Sequence, residues 1–216
     1  VDENMAQARQ ERRHLIVTAA SGLFAACGYR AASMDEIACR AGVSKPVLYN
    51  SFTSKLELYL AVLHEALQVL GETLAEALAP AQGMRSIVSA TVAAIFDFAD
   101  THPRSATLLA GAAVVDEPSA QRVAHRATTI CTDTLLKALA PYPPAQAERG
   151  WLITAEVVAI AQSCARHWVL TGKPLPRHEA VATTAGLCWT GLSGIQQAPR
   201  SPEPSETSRP ASDVRM

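Results

Sequence analysis

The apolar residues of this chain return at intervals of three and four, the spacing that sets them on one face of an α-helix. Leu15, Ile16, Ala19, Ala20, Leu23 and Phe24 form the first stripe, predicting a helix over 9–28 that ends at Gly28. Leu56, Leu60, Leu63, Leu67, Leu70, Leu74 and Leu78 form the longest, which Pro80 and Gly83 close. Further helices are predicted over 84–101, 104–113, 119–140, 145–171 and 176–197, separated by proline- and glycine-bearing breaks. Residues 1–8 read as a loose arm and 198–216, rich in proline, serine and charge, as a disordered tail.

Between the first and longest stripes, helix ends are written by their caps. Ser33 and Glu36 have capping-box spacing, as do Ser54 and Glu57. Each serine oxygen would accept from the glutamate N–H, and each glutamate side chain would return to the serine N–H. Gly42 supplies a left-handed position that ends the helix begun at Ser33. Ser44 then caps another, with Pro46 in its first turn, where a missing N–H costs nothing. Two helices joined by so short a turn form a helix-turn-helix. The fold class is therefore all-α with about nine helices: a helix-turn-helix domain over 9–55 and a larger helical domain over 56–197.

The second helix of that pair, 44–52, would be about 13 Å long at roughly 1.5 Å per residue. A major groove is about 12 Å wide, so such a helix docks end-on. Leu48 and Phe52 would face the core, leaving Ser44, Lys45, Pro46, Val47, Tyr49 and Asn50 near the groove. Lys and Tyr suit phosphates, Asn a base edge, and Val and Pro thymine methyls. Ser33 and Lys55, at the starts of the flanking helices, complete the candidate DNA-binding set. A small helical subdomain with a solvated basic face, or a scaffold that meets another protein, fits the same spacing.

Charge is informative only locally. The net charge of −1 does not point to nucleic acid. Between Met5 and Leu60, however, seven cations (Arg9, Arg12, Arg13, Arg30, Arg40, Lys45, Lys55) face four anions (Glu11, Asp35, Glu36, Glu57). That excess of three predicts salt-sensitive binding. The arginines at the start of the first helix could reach an adjacent DNA backbone or simply be solvated. Cys27, Cys39, Cys131, Cys164 and Cys188 are scattered without a CxxC pair, as expected of core residues in a reducing compartment. No signal peptide or membrane span is expected, because the apolar run at 151–170 contains Glu156, Gln162 and Arg166. The expected location is cytoplasmic.

No enzyme, metal or cofactor signature is complete. His64–Glu65 and His178–Glu179 lack the second histidine of HExxH, replaced by Gln68 and Ala182. Ile195 stands where a nucleophile elbow beginning at Gly191 needs its last glycine. An apolar cavity among the middle helices is expected instead, lined by Phe96, Phe98, Leu108, Leu109, Trp151 and Trp168. The last helix is apolar nearly all round from Ala180 onward, so Trp189, Leu192 and Ile195 are expected at a homodimer interface.

The run MDEIACRAGVSKPVLYNSFTSKLELYLAVL, preceded by FAACGYRAAS, resembles the N-terminal domain of TetR-family transcriptional regulators. Ser51 departs from the pattern, since many relatives carry histidine or another bulky polar residue there. The stretches IFDFADTH, SCARHWVLTGKPLPRHEAV and WTGLS extend the resemblance to actinobacterial regulators of fatty-acid synthesis that sense long-chain acyl-CoA. It covers chiefly the first 65 residues and is patchy over 102–150. It implies a homodimer on a pseudo-palindromic operator, dimerised through a four-helix bundle and responsive to an acyl-CoA-like or other apolar effector. Arg104, Arg122, Arg126 and Lys137 are the cations available for such an effector's phosphates. A TetR-type regulator of efflux or secondary metabolism that senses an unrelated small molecule is the alternative.

Overall fold

A computed structural model describes residues 2–142 and 147–197, and among these every regular element is an α-helix. In chain order they are α1 (Asp2–Ala31), α2 (Met34–Ala41), α3 (Lys45–Ser51), α4 (Lys55–Leu78), α5 (Met84–Thr101), α6 (Pro103–Ala112), α7 (Pro118–Leu139), α8 (Ala147–Leu170) and α9 (Arg177–Gln197). The tail expected after 197 lies outside the described residues.

The first stripe ends at Gly28, whose φ of 79° and ψ of 168° interrupt α1. Its beginning differs from expectation: residues 2–8, read as a loose arm, continue the helix. Ala6, Gln7, Ala8, Gln10 and Glu11 are strong helix formers with no breaker among them, so helicity propagates outward from the packed turns.

Only half of each capping box forms. Ser33 Oγ accepts from the Glu36 N–H at 3.1 Å, but the Glu36 carboxylate pairs with Arg40 one turn on, at 2.9 Å. Ser54 Oγ likewise accepts from the Glu57 N–H at 3.1 Å. The Glu57 carboxylate returns one residue early, accepting from the Thr53 N–H at 2.7 Å and the Thr53 hydroxyl at 2.8 Å. Those two bonds hold its pKa below the usual carboxylate range. At the turn, Gly42 adopts φ 66°, ψ 27°, and the Val43 N–H closes back on the Ala38 carbonyl at 3.0 Å.

α4 is the hub. It packs on α1 in the head and on α5, α6 and α7 beyond it. Its first turns carry Leu58, Tyr59 and Val62 into the same buried cluster as Phe24 of α1, with Phe24 and Tyr59 edge-on at 4.9 Å. The domain division expected at 55/56 thus falls where α4 enters the head's core. At the far end α9 packs on α5 and α8. Ion pairs from Lys173 to Asp100 and from Arg177 to Asp97, with the Trp168 Nε1–H donating to the Leu175 carbonyl at 2.8 Å, pin the α8–α9 turn to α5.

Candidate functional site

α3 is fixed from behind. Leu48 and Phe52 are fully buried, and Arg13 of α1 stacks 4.1 Å from the Phe52 ring centroid while its Nη1 donates to the Ser51 carbonyl at 3.0 Å. The Ser51 hydroxyl turns inward to the Val47 carbonyl at 3.1 Å. With that face anchored, Ser44, Lys45, Pro46, Tyr49 and Asn50 share the exposed face and Val47 is half-buried. Tyr49, 42% exposed, is the largest apolar surface there. Ser33 is exposed at the start of α2, its oxygen occupied by the cap.

The two lysines are not free points of charge. Lys45 sits 2.8 Å from Asp35, which raises its pKa by hydrogen bonding and charge. Lys55 is turned inward: its ammonium donates to the carbonyls of Arg30 at 3.3 Å and Ala32 at 3.1 Å and lies 4.7 Å from the Tyr29 ring centroid. It caps the end of α1 rather than facing outward, because the end of the helix at Ala31 leaves carbonyls that need a donor.

A second feature lies in the larger domain. A cavity of about 590 Å³ opens between α6 and α8, bounded by Leu70 of α4, Ile95, Phe98 and Ala99 of α5, and Ala127 and Thr128 of α7. α6 supplies the small residues Ala106 and Ala110 together with Pro103, Thr107 and Leu109, and Ala113 follows just beyond its end, which is why space remains. Its polar groups are few. Gln162 bridges α8 to α7, its Oε1 accepting from the Thr128 hydroxyl at 3.4 Å and its Nε2 donating to Cys131 Sγ at 3.8 Å. Arg166, exposed on α8, is the one cation among the lining residues.

Of the residues expected to line this space, Phe98 and Leu109 do. Phe96, Leu108 and Trp168 are buried beside it as core, with Phe96 and Trp168 rings 5.7 Å apart. Trp151 is 60% exposed and stands outside it, a correction to the expected lining. Trp189 is half-buried, while the side chains of Leu192 and Ile195 lie outside the described residues.

Residues 16–62 match the profile of the tetR family of bacterial regulatory proteins. The chain is 40% identical over 187 residues to the HTH-type transcriptional activator FasR of Mycolicibacterium smegmatis, covering 87% of this chain and 85% of that protein. The chain belongs to the TetR family of transcriptional regulators. A solved tetR-family regulator from Streptomyces coelicolor superposes with a TM-score of 0.71 at 27% identity, covering 87% of this chain and 82% of that one. The fatty acid degradation regulator FadR of Bacillus halodurans shares the fold alone, with a TM-score of 0.67 at 16% identity over 82% of this chain and 94% of that chain.

This TetR-family protein is a regulator and not an enzyme. Among the described residues no helix is long and apolar enough to cross a membrane. Sequence reasoning missed Gln162 and Arg166 as cavity residues, although both were visible as the polar interruptions of an otherwise apolar helix. The inward turn of Lys55 left no such trace, because it depends on where α1 ends in space.

Proposed function

We propose that this regulator binds a pseudo-palindromic operator as a homodimer and that an apolar acyl ligand, a long-chain acyl-CoA in the first instance, modulates that binding. The observation that carries the reading is the 590 Å³ cavity, apolar with a few polar groups. It sits against the helices that hold the head. α6, which forms most of one wall, packs on both α1 and α4. A ligand that widens the α6–α8 gap therefore bears on the tilt of α4 and on the seat of α1. The resemblance to acyl-CoA-sensing regulators supports the choice of ligand, and Arg166, an exposed residue of the lining, offers a charge for an anionic head group.

Two copies of α3 enter successive major grooves, with half-sites about 34–36 Å apart. The dimer forms through α8 and α9, where Leu187 is 64% exposed on a helix that otherwise buries Ala180, Thr184, Ala185 and Cys188. Ser33, Ser44, Lys45, Pro46, Val47, Tyr49 and Asn50 form the DNA face, while Lys55 acts by holding the head together. Such a protein works in the cytoplasm, where the chromosome is. A 100-fold change in operator affinity needs roughly 2.7 kcal/mol of difference in ligand affinity between the two states. Footprinting the DNA upstream of its own gene, with and without acyl-CoAs of graded length, tests the reading. Two protected half-sites and a chain-length-dependent change are expected; an unprotected region overturns it.

A further inference from the structure

Of the seven cations between Met5 and Leu60, five already have partners within the protein. Arg13 holds the Ser51 carbonyl and the Phe52 ring; Arg30 lies 4.0 Å from Asp116; Arg40 pairs with Glu36 at 2.9 Å. Lys45 pairs with Asp35 at 2.8 Å, and Lys55 caps α1. Exposed pairs exchange partners readily, since each is worth little. Even so, Lys45 and Arg40 bring Asp35 and Glu36 with them, and those carboxylates repel the phosphates that the cations would attract. The remaining two, Arg9 and Arg12, are exposed and have no ion pair or hydrogen bond among the described residues.

Their position is defined by Arg13. Because Arg13 is bonded to the last residue of α3, the part of α1 that precedes it starts from the end of α3. Arg9 lies one turn earlier on nearly the same face, about 6 Å along the axis. Arg12, three residues from Arg9, is its neighbour on the helix surface. Long side chains on a helix lean toward its N-terminus, which carries both guanidinium groups away from the packed head. All residues from Met5 to Leu15 are exposed, so apart from the Arg13 anchor these turns bury nothing that would hold them for the sake of the core.

We infer that the leading turns of α1 are a backbone-tracking element: Arg9 and Arg12 contact phosphates of duplex DNA flanking the groove that α3 enters. The inference rests on the DNA reading above and adds to it where the affinity comes from. Base-facing residues on α3 specify, and Arg9 and Arg12 supply guanidinium groups that no carboxylate among the described residues already pairs. Phosphate contact of this kind is indifferent to sequence and tolerates any cation.

The test is a salt titration of duplex binding by fluorescence anisotropy, run on the full chain with its upstream DNA and with an unrelated duplex. Wild type, Arg9→Gln/Arg12→Gln and Arg9→Lys/Arg12→Lys are compared, with hydroxyl-radical footprints of each. Two phosphates per subunit give a dimer slope of log affinity against log salt that is shallower by about 3.6 in the glutamine variant, at about 0.9 per phosphate. The flanks of its footprint should open, and the lysine variant should retain both slope and footprint. An unchanged slope and footprint in the glutamine variant overturns this inference and leaves the regulator reading standing. Failure of wild type to bind either duplex overturns both.

Discussion

The Lys55 ammonium donates to the Ala32 carbonyl at 3.1 Å, joining the first turn of α4 to the end of α1. It ties α4 to the frame behind α3 with charge-assisted bonds, each of the class worth about 1.5–3 kcal/mol. Lys55→Ala should therefore lower the stability of the protein by about 1–2 kcal/mol and weaken operator binding, while leaving the salt slope of binding nearly unchanged. Denaturant melts paired with a salt titration check this. A slope that falls by a full phosphate contact per subunit would instead place Lys55 on the DNA.

Tyr49 and Asn50 occupy the face of α3 opposite the Leu48 anchor. Asn50→Ala should cost about 1–3 kcal/mol of discrimination at one base position, so the variant binds its operator weakly but unrelated DNA as wild type does. Tyr49→Ala should weaken both. Neither touches the core, so light scattering should report the same mass for each as for wild type.

Leu187 lies about 100° round α9 from buried Cys188 and is 64% exposed. Placing a charge there, as in Leu187→Glu, should convert a dimer to a monomer at micromolar concentration, because an unpaired buried charge costs several kcal/mol. Sedimentation equilibrium reads the outcome, and circular dichroism should show unchanged helicity.

Burial pushes the Cys131 thiol up to about 12 and also raises Cys188, whereas Cys27 and Cys39 are exposed. A raised thiol pKa keeps the group in its unreactive neutral form at and above neutral pH. A thiol reagent at pH 8 should label Cys27 and Cys39 in the native protein, and Cys131 only after unfolding; peptide mapping distinguishes them.

The fold was largely legible because its signals are local. Gly28, Gly42, the Ser33 and Ser54 caps and the proline breaks each act within a few residues; α1 runs three residues past Gly28, and the later helices end within one to two residues of where these signals point. What was not legible depends on partners distant in the chain. Trp151 is in helical phase with buried Thr154 and Val158, yet it is exposed, since periodicity gives a face but not what stands opposite it. Glu36 chooses Arg40 over Ser33, and Lys45 meets Asp35 ten residues away. The loose arm expected over 1–8 gives way to helix from Asp2 for a different reason: polarity reads as disorder, although most residues there are good helix formers.

The central claim is that the cavity and the reading head are coupled. It is tested most directly by operator-binding isotherms of wild type and Ala106→Phe, each with and without a saturating long-chain acyl-CoA. Ala106 lines the cavity from α6, and phenylalanine there fills it. The account predicts a wild-type affinity change within the roughly 5–150-fold range usual for coupled sites, and none in the variant. Superimposable wild-type isotherms at every chain length would contradict it.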